Sequence, residues 1–260
     1  MEIQIKKTIK AGNSSAVILP KTWLNKEVRV ELFKKTQNII LSDTIDILRK
    51  YIEINNVIGI YLVGSYARKE EDENSDIDIL VVTKDIDKEV IKEGIYSILI
   101  ISSILLKQKL KQDLLPIGPM FREAKPLLNA GYLESIEINV TKRNVKRYIK
   151  TTEEKLELIK KVLDKKKIQN RKNVEDVVAY TLILRIRTLY LITKLIKTEE
   201  YSKKDFVNML IGISNGKNAY DSYLAVKNNL DEKGVSINEV KKLYSYLMNQ
   251  LERVKKLLKN

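Results

Sequence analysis

The 260-residue chain contains no cysteine and no histidine. Without cysteine it forms no disulfide, no thiolate metal site and no cysteine nucleophile. Without histidine a Ser-His-Asp triad, a histidine-ligated zinc and a histidine-based ribonuclease are excluded. A mechanism built on carboxylates and a metal survives both absences. Glycine and proline are scarce, at 9 and 4 residues, while Lys, Ile and Glu are abundant, a compositional hint of a hyperthermophile protein. Long apolar runs are missing as well. The most apolar stretch, Ile95 to Leu106, is interrupted by serines and bounded by Glu93 and Lys107. It is too short to span a bilayer and suits a buried helix. The N-terminus shows no basic leader followed by an apolar core and a small-residue cleavage site. The expectation is a soluble cytoplasmic protein with no membrane partner.

Charge is abundant and unevenly spread. The net charge of +14 divides into +5 over residues 1–40, −5 over residues 41–140 and +14 over residues 141–260. The acidic middle suits metal binding. The basic flanks suit nucleic acid or another polyanion, although any single lysine is more readily read as a solvated surface group.

The acidic middle holds the most informative segment, Gly64 to Ile79, GSYARKEEDENSDIDI. A short apolar run, Val57 to Val63, precedes it and reads as a buried strand. Gly64-Ser65 then turns the chain into a helix. A charged loop follows, and Asp76 and Asp78 stand one residue apart at the start of a second apolar strand ending in Ile79 to Val82. Side chains on a strand repeat direction every two residues, so these carboxylates point the same way, about 7 Å apart. On an otherwise apolar strand they repel each other unless a divalent cation lies between them. Mg²⁺ takes carboxylate oxygens and leaves positions for substrate phosphates. Gly64 lets the backbone approach a ligand closely. Ser65 offers a hydroxyl, and the amides that open the helix form an anion site.

GS-x-x-R followed by SDIDILV resembles the signature of the DNA polymerase β nucleotidyltransferase superfamily, in particular its minimal nucleotidyltransferases, over roughly Ile45 to Pro119. The resemblance implies transfer of a nucleoside monophosphate from an NTP, ATP for preference, to a hydroxyl of an unidentified acceptor, with release of pyrophosphate. It implies Mg²⁺, two ions, held by Asp76 and Asp78, and nucleotide contacts at Gly64, Ser65, Arg68 and Ser75. The family needs a third carboxylate on a later strand, as metal ligand and proton acceptor. Asp113 in KQDLLPI is the first candidate. It follows an apolar helix expected from about Lys88 to Leu110 and opens the next apolar run, in an order that resembles the family's "DLVP" strand. Glu134 and Glu137 in YLESIEINV are the alternatives.

Residues 1–40 form a separate unit, with two or three short strands, turn residues at Ala11 to Ser15, and Pro20 closing the second strand. Forty residues bury too little to close a core alone. GNSSAVILPKTWLNKEVRVEL resembles the AbrB-type swapped-hairpin domain, in which two chains interleave and present basic residues to DNA. The resemblance covers about Ile3 to Leu32. It implies a homodimer that binds duplex DNA near Lys6, Lys7, Lys10, Asn13, Ser14 and Lys21.

From Thr151 onward the pattern is helical, with helices expected at about 152–167, 173–198, 203–213, 217–230 and 237–258. Thr151 with Glu154, and Ser236 with Glu239, stand at capping-box spacing. Val174 to Ile196 is apolar on most faces and reads as the central helix, interrupted by Arg185 and Arg187. These arginines either pair within the protein or reach toward phosphate, as the Lys142–Arg147 cluster also does in this reading. Helical partners of minimal nucleotidyltransferases complete substrate pockets or are HEPN-class ribonucleases. The HEPN ribonuclease motif needs histidine, so a bundle of that kind here would bind or scaffold.

The fold expected is α+β in three parts: a small AbrB-like β-hairpin segment over 1–40, an α/β nucleotidyltransferase core with a short mixed sheet over 41–140, and a basic all-α bundle over 141–260. The function expected is a metal-dependent nucleotidyltransferase. The alternative is a DNA-binding regulator, or antitoxin-like protein, whose transferase domain senses nucleotide or is inactive.

Overall fold

A computed structural model describes residues 4, 6, 8–31, 36–73, 75–231 and 234–259. The chain divides into two compact units, residues 1–107 with 123–137 and residues 108–122 with 138–260.

The first unit opens on an antiparallel ribbon, β1 (Ile9–Ala11) and β2 (Ser14–Ala16), with Ile9 opposite Ala16. Gly12 takes φ +61° in the turn, a conformation other side chains resist. A two-stranded ribbon is marginal in water, and here each strand lasts only three residues. The second strand therefore ends at Ala16, short of Pro20, which leads into a single 3₁₀ turn at Lys21–Trp23.

Helix α1 (Gln37–Leu48) follows, its N-terminus capped by the Thr36 hydroxyl accepting from the Ile39 amide. Next come β3 (Val57–Val63), the short helix α2 (Gly64–Arg68) and β4 (Ile77–Thr83). The chain continues through β5 (Lys88–Glu93), β6 (Tyr96–Ser102), α3 (Ser103–Gln112) and α4 (Gly118–Glu123). It returns with β7 (Lys125–Leu128) and α5 (Ala130–Glu134). The sheet order is β5-β6-β4-β3-β7, with β4 and β6 parallel and the other pairs antiparallel. Alternate residues, Ile60 and Leu62, Ile77, Ile79 and Val81, Tyr96, Ile98 and Ile100, form one core with Ile40, Ile47 and Leu48 of α1. The opposite face of the same strands carries Asp78, in register with Val63 on β3 and Ser97 on β6.

The helix expected over Lys88–Leu110 is instead a hairpin followed by a shorter helix. An apolar run satisfies either period, and the local signal that separates them is Gly94. It sits at φ +62° in a two-residue turn that sets Glu93 opposite Tyr96. Helix α3 starts only after Ser102, whose hydroxyl accepts from the Leu105 amide.

The second unit is helical: α6 (Lys142–Ile168), α7 (Asp176–Ile196), α8 (Lys203–Ser214), α9 (Asn218–Lys227) and α10 (Ile237–Leu257). A two-residue bridge joins β8 (Asn173–Val174) to β9 (Val235–Ser236). As expected, α7 is the most buried helix, with Leu182, Ile183, Ile186, Leu189 and Ile192 all enclosed. The first helix begins well before Thr151. Its capping box is Thr141 with Asn144, while the hydroxyls of Thr151 and Thr152 bond back to backbone carbonyls inside the helix. Among the described residues no helix is long and apolar enough to cross a membrane.

Asn144 explains why the earlier cap wins. Its Oδ1 accepts from the Thr141 amide at 2.8 Å, and its Nδ2 donates to the Leu110 and Asn139 carbonyls at 2.8 and 2.9 Å. The residue is buried, so removing its amide strands all three backbone groups. Asn144→Ala is expected to destabilise the protein by about 2–4 kcal/mol. Glu154→Ala, at the exposed member of the other capping pattern, should cost less than about 0.5 kcal/mol. Denaturant melts of the two variants check the ordering.

Candidate active site

The site begins where β3 ends. Val63 is the last residue of the strand, and Gly64 turns the chain at φ +71° into α2. The turn lies directly against β4. A Cβ on Gly64 would stand 2.2 Å from Asp78 Oδ2 and 2.9 Å from its Cγ, so only glycine fits both the dihedral and the space. Helix α2 ends after one turn because Lys69 adopts the left-handed conformation, φ +57°. The charged loop then leads to Ser75, whose hydroxyl donates to Asp72 Oδ1 at 3.1 Å and accepts from the Asp72 amide at 2.9 Å. This small turn delivers Asp76 and Asp78 to the start of β4.

Asp76 is exposed and Asp78 half-buried. The Asp78 carboxyl is held above the ordinary carboxylate range, first by burial and then by the charges of Asp76 and Glu123, with Arg68 working in the other direction. The pair thus behaves as two like charges at the start of one strand, offset only in part by Arg68. Two carboxylates with free coordination positions fit a hard divalent ion such as Mg²⁺, which needs only one or two protein carboxylates when substrate phosphates complete its shell.

Glu123 is the residue that sequence reasoning missed. The β3–β7 pairing sets Leu62 opposite Lys125, and continuing that register brings Glu123 opposite Gly64. Its Oε1 accepts from the Gly64 amide at 2.8 Å, and its Oε2 accepts from Arg68 Nη1 at 2.5 Å. Arg68 Nε also donates to Glu70 Oε2 at 3.0 Å. Burial raises the Glu123 pKa, opposed by Arg68 and the Gly64 amide. Nothing local in the sequence marks this glutamate, because only the pairing of distant strands brings it to the turn.

Asp113 stands elsewhere in the architecture than expected. It opens no strand. It follows the last residue of α3, its amide bonded to the Lys109 carbonyl, and the Tyr148 hydroxyl of α6 donates to its Oδ1 within the second unit. Burial and that hydrogen bond push the Tyr148 hydroxyl well above the usual tyrosine range. Glu134 is the last residue of α5 and Glu137 follows it in the connecting segment, both exposed and neither on a strand. Among the described residues no three acidic side chains are grouped to hold a metal. Arg185 donates to the Thr151 hydroxyl at 3.1 Å and Arg187 lies over the Tyr201 ring, so both have partners within the helical unit. Lys142, Arg143, Lys146 and Arg147 are exposed on the first turns of α6. In the N-terminal segment Lys6, Lys10, Asn13, Ser14 and Lys21 are exposed, and Lys7 lies outside the described residues.

The nucleotidyltransferase domain family matches residues 42–204. That span holds the turn, both aspartates and Glu123 and takes in well over half of the chain. The chain belongs to this family and is a nucleotidyl-transferring enzyme. No curated protein matches it. Solved structures that resemble it include the following two. A nucleotidyltransferase-like protein from Exiguobacterium sibiricum is 14% identical, with a TM-score of 0.40, over 84% of this chain and 77% of that one. A spectinomycin adenyltransferase from Enterococcus faecialis, with ATP and spectinomycin, is 19% identical, with a TM-score of 0.42, over 81% of this chain and 99% of that one.

The raised pKa of Asp78 has a measurable consequence. Its folded value exceeds its unfolded one, so the folded state holds the proton more tightly. The resulting stabilisation is complete below the unfolded pKa, about 4, and is lost as pH rises through the folded value. Asp78→Asn mimics the protonated form. In the presence of chelator it should melt a few degrees above wild type at about pH 7, and the gain should vanish near about pH 4. A melting-temperature series over pH in both proteins tests this.

Proposed function

We propose that the enzyme transfers a nucleoside monophosphate from an NTP, with ATP as the first candidate, to a hydroxyl of an acceptor. The observation that carries this reading is the close contact between the Gly64 turn and Asp78, which lays a turn with φ +71° directly against a carboxylate at the start of β4. Asp76 and Asp78 hold Mg²⁺. The ion they would hold would supply charge neutralisation for the phosphates. The Gly64 amide, the Ser65 hydroxyl and Arg68 orient the triphosphate, and Ser75 fixes the loop that delivers the aspartates. The acceptor oxygen bonds to the α-phosphorus as the bond to the β-phosphate oxygen breaks, and pyrophosphate leaves. The hydroxyl proton passes to a carboxylate, for which the family resemblance offers Glu134 or Glu137 within the same compact unit.

The double variant Asp76→Asn, Asp78→Asn should lose Mg²⁺-dependent ATP binding while remaining folded. Labelled NTPs incubated with cell lysate, with and without Mg²⁺, should mark an acceptor with wild type and not with the double variant. Undiminished transfer by the double variant would reject the assignment.

A second reading concerns assembly. The N-terminal segment leaves Ile9, Ile18, Leu24 and Val30 largely exposed, at 47%, 67%, 71% and 73%. So many uncovered apolar side chains on a segment this short favour pairing with a second copy of the segment, with duplex DNA met through Lys6, Lys7, Lys10, Asn13, Ser14 and Lys21. Ile18→Asp with Leu24→Asp should turn a dimer into a monomer and leave the helical signal intact. Wild type that sediments as a monomer at low micromolar concentration would end this reading, and DNA binding by the dimer should weaken steeply with salt.

A further inference from the structure

Two of the three donors that the proposed reaction assigns to phosphate, the Gly64 amide and Arg68, are already engaged. Glu123 Oε1 takes the Gly64 amide and Oε2 takes Arg68, both at hydrogen-bond distance, while Glu70 takes the remaining Arg68 edge. Glu123 is only 8% exposed. It bridges a backbone amide and a guanidinium, with one oxygen on each. Two non-bridging oxygens of a phosphate would address the same two donors in the same way. An amide proton cannot serve both, so nucleotide and Glu123 compete for it.

We propose that Glu123 is a built-in competitor of the triphosphate, an internal anion that keeps the Gly64 amide and Arg68 occupied until a nucleotide displaces it. The proposal rests on the nucleotidyl-transfer reading and adds to it a gate on substrate entry. Three features support it. Glu123 ends α4 two residues before β7, whose pairing sets Lys125 opposite Leu62, so the contact is fixed by secondary structure on both sides. The groups around the turn, Glu70, Asp78 and Glu123 with exposed Asp76, outnumber the cation Arg68, so an arriving phosphate meets net negative charge. Lastly, the contact is enclosed, where a charge-assisted bond is strong enough to hold against weak anions.

The test measures ATP–Mg²⁺ binding by calorimetry for wild type, Glu123→Gln and Glu123→Ala. Competition predicts that both variants bind at least about tenfold more tightly than wild type, since each weakens or removes a charged hydrogen bond that binding must break. A second readout uses wild type alone. The ¹³C resonance of the Glu123 carboxylate and the Gly64 amide resonance should both move on addition of ATP–Mg²⁺, as the carboxylate leaves its donors. Equal or weaker binding by the variants overturns the proposal and makes Glu123 a fixed brace for Arg68. If the variants do not fold, an unmoved carboxylate resonance in wild type overturns it equally. No ATP–Mg²⁺ binding in wild type or in either variant removes the nucleotidyl-transfer reading itself, and this gate with it.

Discussion

Everything at the site depends on one register. The antiparallel pairing of β3 with β4 sets Val63 opposite Asp78, and so lays the Gly64 turn against the Asp78 carboxylate. A slip of one residue would exchange the two faces of β4. Asp78 would then enter the core against α1, and Ile77, Ile79 and Val81 would lose it. The cost of burying an unpaired carboxylate there is what keeps the register single-valued. Beyond Asp78 the strand is buried on both faces, so this one carboxylate is what distinguishes them.

This explains why the central motif was readable from sequence and other parts were not. The turn, the two aspartates and their common side are encoded within a single stretch of chain, by a glycine and a period of two. The helices of the second unit were readable for a similar reason, since their apolar periodicity is local. Strands β5 and β6 were not, because Ile95 to Leu106 is apolar at nearly every position and fits a buried helix as well as a strand. The start of α6 was misjudged because Thr151 with Glu154 copies a capping pattern. The deciding interaction, Asn144 with the Leu110 and Asn139 carbonyls, involves a residue far back in the chain. Glu123 was invisible for the same reason in stronger form: its role is set by β7 lying beside β3.

Asp113 illustrates the converse difficulty. Its sequence context resembled the opening of a strand, yet Pro116 and Gly118 follow it closely, and the chain passes through a turn into α4. A proline shortly after an aspartate suits a helix end as well as it suits a strand start. The hydrogen bond from Tyr148 then fixes the side chain from α6, again a partner that periodicity cannot name.

The electrostatics of the turn set a cost in stability against a concentration of negative charge. Asp78 is half-buried, repelled by Asp76 and Glu123, and held above its ordinary pKa, so the folded protein carries an unfavourable charge where it matters most. Glu123 and Arg68 relieve part of it by pairing with each other. The rest is relieved only from outside, by a proton or by a cation. A divalent ion that binds the folded site and not the unfolded chain stabilises the fold by mass action. Its affinity is raised by the repulsion it removes. The β3–β4 register leaves the Asp78 carboxylate no other position, so the repulsion stays with the fold and is open to relief by a proton or a bound cation.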